Sequence, residues 1–140
     1  MQRILVAIDG SDCSRRAAAA GADLASRLGA QVAFVYAVPP PPVMGETAMV
    51  DLVALEEAHA DYAKKLLAEV AAASARPGLA IATRILHGPA PEAINDAARE
   101  GAADLIVVGS RGRNALTRAI LGSVAHALVQ TSKKPVLVVH

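Results

Sequence analysis

The chain has 140 residues, the usual length of one domain, and carries a formal net charge of +1. So small a charge argues against a nucleic-acid or membrane surface, and one Phe, two Tyr and no Trp leave little that could stack on bases. With a single cysteine, no apolar run of transmembrane length and no signal-peptide pattern in its first residues, we expect a cytoplasmic protein.

Apolar runs and helical stretches alternate along the chain. ILVAI at 4–8 is a continuous apolar run, which is typical of a strand buried on both faces, and it ends at an Asp-Gly pair. Ser11 or Asp12 then caps a helix that Gly29 ends. The predicted strands are 4–8, 32–38, 79–86, 103–109 and 135–139, and the predicted helices are 11–28, 49–75, 91–100 and about 120–131.

The region after the second strand combines a proline-rich segment with a long helix. Four prolines begin the segment 39–47, which we expect to be the least regular part of the chain because proline neither extends a helix nor fills a central strand. In the helix predicted over 49–75, five side chains fall at helical spacing in one stripe. These are Leu55, His59, Tyr62, Leu66 and Val70.

Strands that alternate with helices predict one domain over 1–140, with a parallel sheet covered by helices on both faces. In such a sheet, ligands bind beyond the carboxyl ends of the strands, where the strand order reverses. This rule directs attention to the residues that follow four of the strands. They are Asp9-Gly10, Ala37-Val38, His87-Gly88 and the stretch from Gly109 onward.

The stretch after the fourth strand is rich in glycine. We expect Gly109 to let a ligand approach the backbone and Gly122-Ser123 to begin a helix whose free N–H groups attract phosphate. Gly112 permits backbone angles that other residues avoid. Three arginines between these glycines can neutralise further charge: Arg111, Arg113 and Arg118. The same residues also fit a plain turn, a serine cap and solvated arginines, so the residues alone leave both interpretations open.

The glycine spacing separates this stretch from two common nucleotide loops. Gly109-x-x-Gly112, nine residues and Gly122-Ser123 form neither a Walker A loop nor the dinucleotide fingerprint. Together with ILVAIDGS, DLIVVGSRGR, LGSVAHALV and KKPVLVV, the spacing resembles the universal stress protein family in its ATP-binding branch. The resemblance implies a Rossmann-like fold, similar to adenine nucleotide alpha hydrolases, with an open five-stranded parallel sheet in the order 3-2-1-4-5.

The resemblance also implies the roles of particular residues. Asp9 would lie near the ribose and phosphates and help to hold Mg²⁺, although by itself it also fits a turn or a helix cap. The other residues implied in nucleotide binding are Ala7 of the first strand; Ala37 and Val38 beside the adenine; Val108, Gly109, Arg111, Gly112 and Arg113 near base, ribose and phosphate; and Gly122, Ser123 and Val124 around the terminal phosphates.

These implications lead us to expect an ATP-binding regulator in the stress response that uses Mg²⁺. Its last strand, 135–139, leaves an apolar edge, and the resemblance implies a homodimer through it. No residue stands out as a general base and the histidines lack metal-ligand spacing, so we expect slow or no turnover. Two alternatives stay open: a nucleotide-independent homodimeric interaction protein using 39–47, and a slow ATPase or phosphotransferase using Asp9 and the arginines.

Overall fold

The computed structural model describes residues 1–40, 49–112 and 121–140. Its elements follow the predicted order, with boundaries that differ by a few residues. They are β1 (Arg3–Ala7), α1 (Asp12–Leu28), β2 (Gln31–Val38), α2 (Met49–Ser74), β3 (Ile81–His87), α3 (Ala90–Glu100), β4 (Leu105–Gly109), α4 (Ser123–Thr131) and β5 (Val136–Val139). None of the helices in these ranges is long and apolar enough to cross a bilayer.

Local hydrogen bonds explain where several elements begin. The Ser11 hydroxyl accepts the Ser14 N–H at 3.1 Å, so Ser11 rather than Asp12 caps α1. β3 begins at Ile81, two residues later than predicted, because the Leu79 N–H still closes a turn on the Arg76 carbonyl. α4 begins at Ser123 rather than near residue 120, and Gly122 precedes it in an extended conformation.

All five strands are parallel and form one sheet in the order β3-β2-β1-β4-β5, which confirms the predicted fold. The chain builds outward from β1 to β2 and β3, then returns to the other side of β1 for β4 and β5. The direction of winding therefore reverses between β1 and β4. A crevice opens at such a point, because the connections after the two strands leave towards opposite faces.

Helices cover both faces of the sheet. Alternate residues of the central strands supply two separate cores: Val6, Phe34 and Val107 pack towards α1 and α2, whereas Leu5 and Ile106 pack towards α3 and α4. Since both faces of the central strands are covered, these strands consist of nearly continuous apolar runs.

The predicted stripe of α2 is buried only in its second half. Leu66 and Val70 are buried, whereas Leu55 is 49% exposed and Tyr62 is 38% exposed. The helix has 26 residues and the longest strand has 8, so the helix is about 39 Å long and the strand about 26 Å. The first half of α2 therefore extends beyond the part of the sheet that it could cover.

Candidate functional site

A cleft lies at the reversal between β1 and β4, and α3 and α4 form its other walls. Its empty volume is about 550 Å³, with the open mouth included. We call it the switch-point cleft. It brings together most of the residues singled out from the sequence, namely Ala7, Asp9, Ala37, Val108, Gly109, Arg111, Gly112, Gly122, Ser123 and Val124.

Two of the residues implied in nucleotide binding, Val38 and Arg113, are not among those lining the cleft, and Arg118 lies outside the described residues. The Val38 side chain is 2% exposed and packs in the core beneath α1 and α2, because alternate residues of a strand face opposite sides of the sheet. Arg113 lies outside the described residues. At the end of β3, His87 is exposed, and Gly88 donates its N–H to the Val38 carbonyl without reaching the cleft.

Asp9 follows β1 directly and serves two purposes. Its Oδ1 accepts the Ser11 N–H at 2.8 Å, so the carboxylate does form the turn that leads into α1. Its Oδ2 faces Gly112, where an added Cβ would lie only 3.0 Å away. One carboxylate oxygen is therefore committed to the turn, and the other lies at the cleft.

Gly109 has a packing role that the sequence did not predict. A Cβ at this position would lie 2.8 Å from the Cys13 carbonyl carbon and 2.9 Å from the Ser14 backbone nitrogen. The missing side chain therefore lets the first turn of α1 pack against the end of β4. Gly109 still lines the cleft, but close packing of two elements explains why glycine is needed there.

Gly112 does not use the left-handed backbone angles that glycine permits. The left-handed glycine of this region is Gly10, with φ of 87°, and Gly112 has no positive φ. Position 112 instead requires a residue without a side chain, because a Cβ there would crowd the Asp9 carboxylate. The same reason applies to Gly122, where a Cβ would lie 3.1 Å from both Arg111 Cα and the Ser110 carbonyl oxygen.

The N-terminus of α4 opens towards the cleft. Gly122 is its N-cap and offers no side-chain acceptor, and the first helical hydrogen bond runs from the His126 N–H to the Gly122 carbonyl. The N–H groups of Ser123, Val124 and Ala125 precede that bond, so they have no acceptor within the helix. Together with the helix dipole, they create a partial positive charge suited to an anion. Ser123 is the first helical residue and not the cap.

Three hydrogen bonds hold Ser110 and Arg111 in place. The Ser110 N–H donates to the Val139 carbonyl at 2.7 Å, and the Gly122 N–H donates to the Ser110 carbonyl. On the other side, the Arg111 carbonyl accepts the Ser11 hydroxyl at 3.4 Å. The loop is therefore fixed to β5, α4 and α1 together, which places its backbone at the cleft.

Backbone groups of β2 also face the cleft. Val35 accepts the Ile8 N–H at 2.8 Å, whereas Val38 accepts the Gly88 N–H, so odd-numbered residues of β2 point their polar groups at β1 and even-numbered ones at β3. Ala37 is also odd-numbered and lies two residues past Val35, whose partner Ala7 is the last paired residue of β1. Its N–H and C=O therefore point into the space beyond the end of β1.

The cleft has a mostly apolar inner wall that the sequence did not reveal. Ala90 and Ile94 of α3 and Val35 of β2 provide much of it. The sequence signal for this wall was the amphipathic pattern of α3. That pattern shows that one side of the helix is buried, but it does not show what the helix packs against. The remaining residues that line the cleft without having been singled out are Ile8, Ser14 and Ala125.

The charged groups of the cleft are few. Among the described lining residues, Asp9 is the single carboxylate and Arg111 the single cation. In the described parts of the chain, no group of three or more His, Cys, Asp or Glu residues could hold a metal by itself. A divalent cation would therefore need ligands beyond the protein, such as phosphate oxygens and water.

The fold and the cleft define a class: single-domain parallel α/β proteins with a Rossmann-like sheet and a cleft at the reversal of strand order. Within that class, residues 1–140 match the family described as the universal stress protein family, and the chain belongs to it.

Individual relatives agree with this assignment. Universal stress protein MJ0531 of Methanocaldococcus jannaschii is 33% identical over 138 residues, covering 99% of this chain and 81% of that protein. Universal stress protein UspA from Lactobacillus plantarum superposes with a TM-score of 0.92 at 27% identity, covering 99% of this chain and 97% of the other. A universal stress protein in complex with cAMP superposes with a TM-score of 0.70 at 28% identity, over 99% and 97%.

Proposed function

We propose that this protein binds ATP with Mg²⁺ in the switch-point cleft and acts as a nucleotide-responsive regulator in the stress response. The observation that carries the proposal is the open N-terminus of α4, which shares one cleft with the Asp9 carboxylate and the Ala37 backbone. That a universal stress protein of similar structure was obtained in complex with cAMP supports an adenine nucleotide as the ligand class.

The phosphate end of the proposed site lies at α4. Three consecutive N–H groups without helical acceptors meet an anion there, and the dipole contributes about 0.3–1 kcal/mol per charge at an exposed site. Arg111 adds a guanidinium at the same end of the cleft. The small size of Gly112 and Gly122 keeps side-chain atoms out of the space between the loop and the helix.

The base end of the proposed site lies at Ala37. An N–H beside a C=O matches adenine, whose N1 accepts and whose N6 amino group donates. Guanine presents the opposite pattern, an acceptor at O6 and a donor at N1, so the same backbone groups would be left unpaired. The apolar side chains of Val35 and Ile94 suit the faces of a base.

Asp9 is the residue that we propose for Mg²⁺. Mg²⁺ in nucleotide sites is commonly held by one or two carboxylates together with phosphate oxygens and water. The single carboxylate among the described lining residues fits that pattern. Since one of its oxygens is already bonded to the Ser11 N–H, Asp9 is poorly placed as a general base, and we expect slow or no ATP hydrolysis.

We also propose a homodimer through β5. This strand pairs with β4 on one side and forms an edge of the sheet, and its Leu137 is 39% exposed. An apolar edge strand with unpaired polar backbone groups is a template for pairing with a second copy.

Calorimetric titration of the purified protein tests the binding proposal. With Mg²⁺ present, we expect ATP to bind at least about tenfold more tightly than GTP, because only adenine matches the Ala37 backbone. Adenosine is titrated as a control. It should bind more weakly than ATP, because it has no phosphates to interact with the N-terminus of α4. Equal affinity for ATP and GTP, or no heat of binding for ATP, would overturn the proposal.

A further inference from the structure

A second concavity lies on the same face of the sheet, beneath the C-terminal half of α3. We call it the α3 groove. Ala33, Val35 and Ala82 of β2 and β3 form its floor, and Ala97 of α3 forms a wall. Its empty volume is about 820 Å³ with the open mouth included, which exceeds that of the switch-point cleft.

The groove exists because small residues stand where a covered sheet usually has large ones. Register places Leu5, Ala33 and Ala82 in one row across β1, β2 and β3. Valine, isoleucine and leucine are the usual residues on such a face. Two alanines in this row leave space below α3, and both are only half-buried. The apolar floor is therefore reached from outside.

Val35 separates the α3 groove from the switch-point cleft. Its side chain is 1% exposed and lines both concavities. Along α3, Ala90 and Ile94 face the cleft, whereas Ala97 faces the groove. The two spaces are therefore neighbours under one helix, but a filled position in the sheet divides them.

The rim of the groove is positively charged. Arg3 and Arg84 are the charged residues among the described residues that line it. Arg84 is paired with Glu100 at 2.9 Å. The Arg3 guanidinium donates from Nη1 to the Gly101 carbonyl at 2.9 Å and has no carboxylate within 4.0 Å in the described part of the chain, whereas the Arg3 backbone N–H is bonded to the Asp104 carboxylate at 3.0 Å. An anionic group at the rim would therefore find a guanidinium whose charge is not yet compensated.

We propose that the α3 groove is a second ligand site, for a small amphipathic carboxylate whose apolar chain lies on the alanine floor and whose carboxylate pairs with Arg3. The open apolar floor suits the apolar chain of such a molecule, and the Arg3 guanidinium, which has no ion-pair partner among the described residues, suits its carboxylate. A medium-chain fatty acid has this chemistry. The site is independent of whatever occupies the switch-point cleft.

Titration of decanoate below its micellar concentration tests this site, with ¹⁵N amide shifts to locate it. Decanoate is expected to shift the amides of β2, β3 and the end of α3. Ala82→Leu fills the floor and should weaken binding about tenfold or more, and Arg3→Gln should weaken decanoate about tenfold while leaving decanol unchanged. Arg99→Gln, which removes an exposed arginine of α3 paired with Asp96, is the matched control and should bind as wild type.

Three results would overturn the proposal. The first is unchanged decanoate affinity in Ala82→Leu with its thermal midpoint retained, and the second is competition of ATP with decanoate, which would place decanoate in the switch-point cleft. The third is a loss of dimer mass in Ala82→Leu, which would make the groove an interface with a second copy. Unchanged ATP affinity in Ala82→Leu would instead support two separate sites.

Discussion

Asp9 illustrates how one side chain holds a turn and still faces the switch-point cleft. Its two oxygens are divided between the Ser11 N–H and the space beside Gly112. The glycines around it are small for steric reasons, since a Cβ at any of Gly109, Gly112 or Gly122 would approach neighbouring atoms to 3.1 Å or less. At the scale of the residue, the cleft therefore depends on close packing more than on unusual backbone angles.

Asp9→Asn separates the two uses of this side chain. The amide oxygen can still accept the Ser11 N–H, so the turn and the stability should be retained, but the negative charge beside Gly112 is lost. We expect ATP affinity to fall about tenfold in Mg²⁺ and to change little in EDTA, as measured by calorimetry. Asp12→Asn, an exposed neighbour in the first turn of α1, is the control. An equal loss with and without Mg²⁺ would contradict a metal role.

Gly122→Val tests the contact between the loop and the start of α4. Its side chain would meet Arg111 Cα and the Ser110 carbonyl and would also occupy the space in front of the helical N–H groups. We expect ATP affinity to fall at least about tenfold while the circular dichroism of the sheet and helices is retained. Val129→Ala, at an exposed position on the same helix, should bind as wild type. Wild-type ATP affinity in Gly122→Val would show that phosphates bind elsewhere.

At the scale of the element, α1 and the N-terminal strand are each joined to β4. α1 reaches β4 through the missing side chain of Gly109. At the amino ends of β1 and β4, the Asp104 carboxylate accepts the Gln2 N–H at 2.7 Å and the Arg3 N–H at 3.0 Å. Both contacts join segments that are about a hundred residues apart in sequence, so each contributes to the order of the strands.

Gly109→Ala should destabilise the fold by about 1–3 kcal/mol, because the new methyl group meets backbone atoms of Cys13 and Ser14 that cannot move without shifting α1. Urea unfolding measures this change. The loss should appear without any nucleotide present, since the contact is between two elements of the protein. A variant as stable as wild type would show that α1 can move away from β4 freely.

Two backbone hydrogen bonds lower the pKa of Asp104 below its ordinary value of 3.8. The bond from the Gln2 N–H has the larger effect, and the bond from the Arg3 N–H has the second largest. A carboxylate whose pKa is lower in the folded state stabilises the protein above its unfolded pKa, and that stabilisation is lost as the pH falls through the folded pKa. We therefore expect wild type to be more stable than Asp104→Asn at pH 7, with the difference shrinking below about pH 4. Thermal midpoints across this range measure it, and a difference independent of pH would contradict the assignment.

At the scale of the whole molecule, the features of functional interest lie at three places on one sheet: the switch-point cleft at the carboxyl ends of β1 and β4, the α3 groove below, and the free edge of β5. The carbonyls of Pro135 and Val139 accept hydrogen bonds from the Ile106 and Ser110 N–H groups. Odd-numbered residues at this end of the chain therefore direct their polar backbone groups towards β4. Even-numbered residues such as Val138 therefore present their polar backbone groups at the free edge.

Val138→Pro tests the proposed dimer. Proline removes an N–H that faces the edge and not β4, so the fold should be retained while pairing with a second copy is weakened. We expect a dimer mass for wild type and a monomer mass for the variant at micromolar concentration, as measured by light scattering. A monomeric wild type at that concentration would contradict the proposed dimer.

The resemblance to the universal stress protein family implied most of the residues that line the cleft. The amino-acid patterns by themselves determined the order of the elements, the single parallel α/β domain and the strand ends at which a cleft is expected. These follow from local patterns: apolar runs mark strands buried on both faces, and polar or glycine residues mark the strand ends where such a sheet opens. The position of the cleft therefore followed from the strand ends, before any contact between segments was known.

The tertiary structure alone decided which way side chains point and which elements meet. That Gly109 accommodates α1 and that Ile94 walls the cleft depend on contacts between segments far apart in sequence. Strand alternation implies that Ala37 and Val38 face opposite sides of the sheet, but packing decides which of the two faces the core. Neither periodicity nor spacing carries that information, because packing is set by the shapes of both partners. The exposed first half of α2 and the α3 groove have the same origin, since both are places where one element does not cover the next.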